Sequence, residues 1–526
     1  MKNYLYNDTK RILPFLGLSI VTGFLSAVIG TAFKLGAEGV IHLSATIYSA
    51  VRQNWLWIPV LVISAAALGL LASFVVSRAQ SCKGGGIPAS AAAVRGIVSF
   101  NWLSSVLVLP FSALLTFFCG LPLGTEGPCV QMGTAIGDGV VQCFGSKKYQ
   151  GWRRYIMTSG ASAGFSIATA SPISAIIFSI EELHKKFSPL LLTGVSISVM
   201  TAQITAQIFD LFGIESGKLF HLPEINTLSI NLLFTPVLVG IICGLGSVLF
   251  TQCYHMIERI VRTVLRKLSI KIMFPILFAC VSIVGVCLAD TLGTGHALVD
   301  KLFQTHTVWY LLLLVFLIRA VFVMVSNTAG VTGGLFLPTL AFGAILGSLC
   351  AEGMIAVGLL EPHHYILMVV LGITAFLGAT SQIPLTACVF AVETLCGINN
   401  VLTVIIATTV AFLIAKLSRI EDITDAVIKA KEHSARGEIE PTVIVDSFTV
   451  NERSFVAGKE LRDILLPNSC VVVSIERAHE SHGSEKIHLG DVITVRYKTY
   501  NPAATAEELS ILVGNQFEQI QHNIIS

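Results

Sequence analysis

The sequence predicts an α-helical polytopic membrane protein that carries a small α+β domain at its C-terminal end. Hydrophobic residues make up 54% of the 526 residues and charged residues only 13%, whereas ordinary globular domains carry about 25% charged residues. Apolar stretches long enough to span a bilayer recur up to about residue 417, and charges become frequent beyond Ser418. The excess of apolar residues is therefore expected in lipid, and the polar remainder in water.

The charge balance and the cysteines exclude several classes of protein. The net charge is only +2, so we expect no nucleic-acid partner. The twelve cysteines lie mostly singly in apolar runs and none forms a CxxC pair, which is typical of buried thiols. We expect no metal and no cofactor. No nucleophile–base pair stands out, so a transporter or channel is predicted and not an enzyme.

The first apolar stretch, Ile12–Phe33, is too long for the core of a signal peptide and lacks a small-residue cleavage site. We interpret it as the first spanning helix. Further stretches of nearly spanning length are Leu56–Val76, Leu103–Leu121, Leu232–Phe250, Met273–Ala289 and Trp309–Val325.

Other apolar stretches are interrupted. Ile156–Ile180 contains Gly160, Gly164 and Pro172, and Gly330–Gly358 and Ile366–Val392 carry similar interruptions. Broken segments at membrane depth survive only where they are buried in protein or line a cavity. The pattern therefore predicts a transporter-like or channel-like bundle and not a simple anchor.

Clusters of basic residues predict the orientation in a plasma membrane. They are Lys147, Lys148, Arg153 and Arg154; Lys185 and Lys186; and Arg259, Arg262, Arg266, Lys267 and Lys271. Cytoplasmic loops carry an excess of Lys and Arg. We therefore expect these clusters and both termini to be cytoplasmic.

The polar C-terminal part is expected to form its own domain. Its short β-branched runs predict strands at Val443–Val445, Cys470–Ile475 and Val492–Tyr497, and Thr505–Gly514 predicts a terminal helix. The sequence thus divides into a membrane domain at residues 1–420, a partly helical linker at 421–440 and a small domain at 441–526.

The chain contains a weak internal repeat. The Gly and Pro spacing of Gly124–Gly137 matches that of Gly334–Gly347, and Pro172–Glu181 matches Pro384–Glu393. Both pairs occur in the same order at an offset of about 210 residues. Corresponding interrupted segments in two halves of a transporter point to a binding site near the midplane.

Such segments suit an anion. A helix that begins inside the membrane has unpaired first N–H groups and a positive dipole end, which bind an anion without a full charge. Glycine allows close approach of the backbone, and proline suits the first helical turn. Neither Gly124–Gly137 nor Gly330–Gly347 contains Lys or Arg, and weak binding by dipoles favours rapid throughput.

Acidic residues in these apolar surroundings are candidates for function. Ionised Glu126 could occupy an anion site and swing out when protonated, as a gate and proton carrier; the alternative is a loop acid at the bilayer edge. Glu181 and Glu182 are predicted at the cytoplasmic end of a helix, where simple solvation is the alternative. Glu393 is expected to hydrogen-bond within the bundle.

Four segments resemble the chloride channel and transporter (CLC) family: Gly84–Pro88, Gly124–Pro128, Gly333–Pro338 and Gly164–Glu182. The resemblance covers about residues 10–420. It implies inverted repeats with re-entrant broken helices, and a homodimer with one anion pathway per subunit.

The resemblance also implies roles for single residues. Glu126 would be the external gating glutamate, and Glu182, beside Glu181, the internal proton-transfer glutamate. Anion contacts would come from backbone N–H groups near Leu335 and Phe336. The other positions that match the anion site are Gly85, Gly86, Ile87, Thr125, Gly127 and Thr424. A proton route between two carboxylates favours chloride/proton exchange.

Three positions depart from the family pattern. Gly85 stands where the family usually has an ion-contacting serine, and Thr125 where it has arginine. Glu421–Ile428 contains no tyrosine for the family's late ion contact, and Thr424 is the nearest hydroxyl. Anion selectivity and coupling therefore stay open, and looser coupling, slippage or a ligand-gated chloride channel are the alternatives. Pro128 disfavours a fluoride exporter.

The tail, Thr442–Gly514, resembles the RCK-C or TrkA-C regulatory domain of potassium transport proteins. The matching segments are Gly458–Arg462, Leu466-Pro467, Val471–Arg477 and Leu489–Asp491. The resemblance implies dimerisation and binding of a small regulator such as cyclic di-AMP; a purely structural dimerisation module is the alternative. From another class, the chain could be a membrane-anchored ligand sensor, but an anchor needs no broken helices.

Overall fold

The computed structural model describes residues 2–84, 86–98, 101–144, 147–214, 219–220, 222–223, 225–436, 442–451, 454–467, 470–477, 486–499 and 502–520. Eighteen α-helices and four strands are seen in these ranges. Nine helical segments among the described residues are long and apolar enough to cross a membrane. The protein is thus a multi-pass membrane protein with a small C-terminal domain, as the composition predicts.

The helices of the membrane domain, in chain order, are α1 Lys2–Gln53, α2 Ile58–Arg78, α3 Ile87–Val94, α4 Trp102–Phe118, α5 Glu126–Cys143, α6 Arg153–Thr169, α7 Pro172–Phe178, α8 Pro189–Leu211, α9 Phe234–Lys267, α10 Ile270–Cys287, α11 His296–Gln304, α12 Trp309–Ala329, α13 Phe336–Ala356, α14 Tyr365–Thr380, α15 Pro384–Ala391 and α16 Val401–Leu417. The linker forms α17, Ile423–Arg436, which agrees with its partly helical prediction. The C-terminal domain contains β1 Thr442–Thr449, β2 Cys470–Glu476, β3 Val492–Thr499, α18 Pro502–Leu512 and β4 Asn515–Ile520.

Helix α1 is longer than the predicted span Ile12–Phe33. It continues to Gln53, because no residue that typically ends a helix follows Gly36 or Gly39. A Cβ on either glycine would meet no atom of the described residues within 4 Å. The helix ends only before Asn54, whose side chain caps the next turn.

The packing repeats in the two halves of the membrane domain. Helix α1 packs on α8 and α6 as α9 packs on α16 and α14, and the pair α5 and α6 corresponds to the pair α13 and α14. Helices α2 and α10 pack against each other and join the halves. This matched packing agrees with the internal repeat in the sequence.

Two of the predicted helix interruptions are wrong. Helix α6 runs through Gly160 and Gly164 and breaks only before Pro172, where α7 begins. The glycines instead bring backbones together, because a Cβ on Gly133 of α5 would lie 2.0 Å from the Gly160 carbonyl oxygen. Helices α13 and α14 meet in the same way at Gly343. Small residues at helix interfaces are typical of membrane bundles.

The C-terminal domain is an antiparallel sheet with the strand order β2-β3-β1-β4. The three predicted strands and the terminal helix are confirmed, and β4 was not predicted. Inward-facing side chains such as Phe448 and Ile493 form its core together with α18. A buried polar pair interrupts this core, since the Tyr497 hydroxyl donates a hydrogen bond to Asp446 Oδ2 at 2.6 Å.

Aromatic side chains join this domain to the membrane domain. Phe455 packs edge-on against Trp152, just before α6, with ring centroids 4.7 Å apart. Lys459 Nζ lies 4.8 Å from the centroid of the same indole ring. The contact is close, because a Cβ on Gly151 would lie 2.4 Å from the Phe455 ring.

Polar contacts surround this aromatic cluster. The Tyr155 hydroxyl of α6 donates to the Asp463 carbonyl and accepts from the Leu465 N–H at 3.0 Å. Arg154 forms an ion pair with Glu508 of α18 at 2.6 Å. We call these aromatic and polar contacts the tail contact.

Candidate functional site

Three glycine-rich segments meet in the membrane domain. Gly124 and Gly334 exchange backbone hydrogen bonds of 2.8 Å in both directions, as in an antiparallel sheet. A Cβ on Gly127 would lie 2.7 Å from the Gly334 Cα, and a Cβ on Gly86 would lie 2.9 Å from the Gly127 Cα. The segments that the repeat aligns in sequence therefore touch in space, and glycine is required where they touch.

Three helices begin at this junction. They are α3 at Ile87, α5 at Glu126 and α13 at Phe336. In the described part of the chain no side chain caps them from the preceding residues, which are Gly86, Thr125 and Leu335. Their first backbone N–H groups have no partner within the helix. The junction therefore combines the positive ends of three helix dipoles.

A cavity of about 40 Å³ lies beside the junction, with room for about three water-sized groups. Its apolar and backbone lining comes mainly from the starts of α3 and α13, and the described lining contains no Lys or Arg. Five predicted site residues line it: Ile87, Glu182, Leu335, Phe336 and Thr424.

Several predicted residues lie elsewhere. Thr125, Glu126 and Gly127 are at the glycine junction and are absent from the described lining of the cavity. Gly86 is the residue before α3. Gly85 lies outside the described residues.

Glu126 is fully buried at the first residue of α5. Its carboxylate lies against Gly124, because a Cβ built there would be 2.5 Å from Glu126 Oε2. Its own backbone N–H and that of Leu337 face the carboxylate, but among the described residues neither oxygen makes a hydrogen bond of normal geometry. His296 and Lys34 are near enough to interact with it electrostatically. The side chain is thus held by packing and dipoles, which suits a group that moves.

Glu182 is 2% exposed and lies in the π-helical turn Ser179–His184, which follows α7. Its Oε1 accepts a hydrogen bond from the Thr424 hydroxyl of α17, and its Oε2 has no partner among the described residues. Arg95 holds the turn by donating to the Glu182 carbonyl at 2.7 Å. Glu182 lines the cavity together with residues at the starts of α3 and α13.

Glu181 makes different contacts from its neighbour Glu182. Its two oxygens accept hydrogen bonds of 3.0 and 2.7 Å from the first backbone N–H groups of α15. Glu393 makes the equivalent contact in the other direction. It accepts hydrogen bonds of 3.0 Å each from two N–H groups of α7. The predicted bundle hydrogen bonds of Glu393 are confirmed. Glu181, predicted as a site residue, caps a helix of the other repeat, and the repeat alignment of Glu181 with Glu393 already contained that signal.

Four polar residues of the cavity lining were not predicted from the sequence: Asn327, Thr339, Thr380 and Ser381. Asn327 Oδ1 accepts a hydrogen bond from the buried Tyr254 hydroxyl at 2.7 Å. Asn327, Thr380 and Ser381 stand at the ends of apolar helices, directly before interruptions. Polar residues at those positions were the available signal.

The sequence matches the family model described as voltage gated chloride channel over residues 68–416. The chain belongs to the voltage-gated chloride channel family. Its curated relatives include the H(+)/Cl(-) exchange transporter ClcA of Yersinia pseudotuberculosis, 29% identical over 84% of this chain and 93% of the relative. The protein of that name from Klebsiella pneumoniae is 29% identical over 77% of this chain and 86% of the relative.

Solved structures show the same fold. A slow cyanobacterial Cl-/H+ antiporter superposes with a TM-score of 0.72 at 21% identity, covering 80% of this chain and 98% of that chain. A CLC-type fluoride/proton antiporter gives a TM-score of 0.65 at 22% identity, covering 77% and 96%. The curated relatives are named as exchange transporters, in agreement with the prediction that this chain is a transporter or channel and not an enzyme.

Proposed function

We propose that this protein exchanges chloride for protons across the membrane. The observation that carries the proposal is the placement of two buried carboxyl groups, Glu126 at the glycine junction and Glu182 in the cavity, around three uncapped helix N-termini. The names of the curated relatives support the choice of chloride and protons.

In this proposal the anion binds in the cavity to backbone N–H groups at the starts of α3 and α13. These dipoles attract an anion, and without a lysine or arginine in the described lining they release it readily. Ionised Glu126 competes for the same kind of dipole at the start of α5, because a carboxylate is itself an anion that N–H groups bind. Protonation removes that attraction, so Glu126 opens the pathway and carries the proton.

Glu182 takes up protons at the other end of the pathway in this proposal. Its carboxyl group lines the anion cavity, so a proton there and an anion beside it interact favourably. The charges around it, Arg95, Lys185 and Asp422, connect it to the polar surface that the basic clusters predict to be cytoplasmic. Both termini are proposed to lie on that side.

Flux in proteoliposomes with simultaneous pH recording tests the exchange. We expect a chloride gradient to drive proton movement in the wild type. Glu126→Ala should abolish proton movement and leave chloride flux, because the pathway stays open without a carboxylate. Glu126→Gln, which imitates the protonated side chain, should likewise move chloride without moving protons. Chloride flux that moves no protons in the wild type would indicate a channel and overturn the proposal.

We propose in addition that the protein is a homodimer, which the family resemblance supports. Apolar side chains of α8 and α16 such as Met200 and Leu402 are more than half exposed in the single chain. The mass of the purified protein in detergent, measured by light scattering with a chromatographic correction, should be twice that of one chain.

The C-terminal domain is proposed to bind a small regulator such as cyclic di-AMP, by its resemblance to RCK-C domains. Its position against α6 supports an influence on the membrane domain, because α6 packs on α5, which begins at Glu126. Chloride flux from full-length protein with and without cyclic di-AMP tests this. Unchanged flux and no binding heat at high micromolar nucleotide would contradict it.

A further inference from the structure

The described lining of the cavity contains four side-chain hydroxyls, and the hydrogens of two of them are already used. The Thr424 hydroxyl donates to Glu182 Oε1. The Thr339 hydroxyl donates to the Leu335 carbonyl of its own helix at 2.7 Å. A hydroxyl has a single hydrogen to donate, so neither group is available to an anion in this arrangement.

Thr380 differs from these residues. It is the last residue of α14, 3% exposed, and lines the cavity. Its Oγ1 is buried and has no hydrogen-bond partner among the described residues. Thr374 of the same helix donates to the Val370 carbonyl one turn back, the usual arrangement for a helical threonine. A buried hydroxyl without this hydrogen bond lowers the stability of the folded protein unless another group accepts its hydrogen.

We propose that the Thr380 hydroxyl is the side-chain ligand of chloride in this cavity. The inference rests on the proposed function and adds a residue that the resemblance does not assign. This chain has a glycine, Gly85, where the family usually has a serine hydroxyl, and the Thr424 hydroxyl donates to Glu182 in this structure. Thr380 supplies the missing donor from a different helix, beside the start of α13.

The ligand class follows from the donor set. Backbone N–H groups at a helix N-terminus and one hydroxyl form charge-assisted hydrogen bonds to an anion. Such bonds strengthen with the charge density of the acceptor. A small halide therefore gains more from the Thr380 hydroxyl than a large anion such as thiocyanate does.

Three substitutions in the full-length protein isolate this hydroxyl. Thr380→Val removes it at nearly constant volume, and Thr380→Ser keeps it. Thr374→Val is the matched control on the same helix, because its hydroxyl is bonded to the Val370 carbonyl and Thr374 is absent from the described lining of the cavity. Calorimetry measures the affinities of purified protein for chloride and thiocyanate. Flux assays in proteoliposomes measure the chloride concentration that gives half-maximal flux.

We expect Thr380→Val to weaken chloride binding about tenfold, which corresponds to about 1.4 kcal/mol, and thiocyanate binding about twofold or less. Thr380→Ser and Thr374→Val should stay within about twofold of wild type. Thr380→Ala gives the same test if the valine variant does not fold. Unchanged chloride affinity in a folded Thr380→Val or Thr380→Ala variant overturns the proposal, as does an equal loss in Thr374→Val. If proton exchange persists in these variants and depends on Glu126, the proposed function stands while the role of Thr380 fails; a wild type that moves no chloride rejects both.

Discussion

At the scale of single residues, the hydrogen bond between Thr424 and Glu182 joins the anion cavity to the proposed proton route. The hydroxyl can donate to ionised Glu182 and can accept from protonated Glu182. In the second arrangement its own hydrogen is released toward the cavity. Proton uptake and anion occupancy would then favour each other through one rotatable hydroxyl.

Thr424→Val should therefore slow proton movement more than chloride flux. A hydrogen bond to a charged group contributes about 1.5–3 kcal/mol, so without it the ionised form of Glu182 is less stable and release of its proton should slow by about tenfold or more. The ratio of chloride to protons moved should rise. Thr424→Ser should restore both rates, and equal slowing of both ions by Thr424→Val would contradict this role.

The pair Tyr497 and Asp446 predicts how the C-terminal domain responds to alkali. Burial, and then the hydrogen bond to Asp446, raises the pKa of Tyr497 above its ordinary value of about 10. The unfolded chain therefore loses this proton at lower pH than the folded domain does. The stability from this group is fully present below about pH 10 and is lost as pH rises above it.

Hydrogen exchange of β1 and β3 between pH 8 and 11 measures this effect, after correction for the intrinsic exchange rate. We expect protection to decline above about pH 10. Tyr497→Phe should be less stable at neutral pH, because Asp446 loses its donor, and should lack this component of the decline. A variant with the same alkaline profile as wild type would show that another group is responsible.

At the scale of elements, the glycine contacts between helices predict unequal costs of alanine substitution. Gly133→Ala should destabilise the protein by about 1–3 kcal/mol, because the new methyl group would lie 2.0 Å from a carbonyl oxygen of α6. Gly36→Ala in α1 meets open space and should stabilise by about 0.5–1 kcal/mol. Thermal unfolding in one detergent compares the two, and equal shifts would contradict the packing role.

The exchanged capping contacts of Glu181 and Glu393 give a second prediction at this scale. Glu181→Ala and Glu393→Ala should each destabilise by about 1–2 kcal/mol, the cost of losing a helix cap. Proton coupling should survive in both variants, because neither carboxylate lines the described cavity. Loss of proton coupling in Glu181→Ala but not in Glu393→Ala would show that Glu181 takes part in proton transfer.

At the scale of the whole molecule, the tail contact ties the C-terminal domain to the membrane domain. Tyr155→Phe removes one hydroxyl that both donates and accepts across this contact and leaves the ring in place. We expect faster hydrogen exchange at residues 461–467 by about fivefold or more, since a lost hydrogen bond is worth about 1 kcal/mol. Tyr310→Phe, on an exposed tyrosine of α12 outside the tail contact, serves as control.

The sequence contained most of the architecture and part of the site. Repeated Gly and Pro spacings identified the junction, because helix starts need those residue types wherever they lie. The same spacing misled at Gly160 and Gly164, where glycine serves helix packing and the helix continues. The positions of Thr380 and Asn327 near helix ends were a signal, but they did not identify these residues as cavity lining. Whether a polar residue faces a cavity depends on how separate helices are arranged, which local pattern does not specify.

The exchange of caps between Glu181 and Glu393 has a consequence for the history of the chain. Each half supplies the acid that completes a short helix of the other, so neither half is finished alone. Two copies of a half-length ancestor could make the same exchange with a single glutamate in each. Fusion of two such copies into one gene would preserve this contact between two former subunits. The two halves of this chain, expressed as separate polypeptides, should therefore assemble through the same contact.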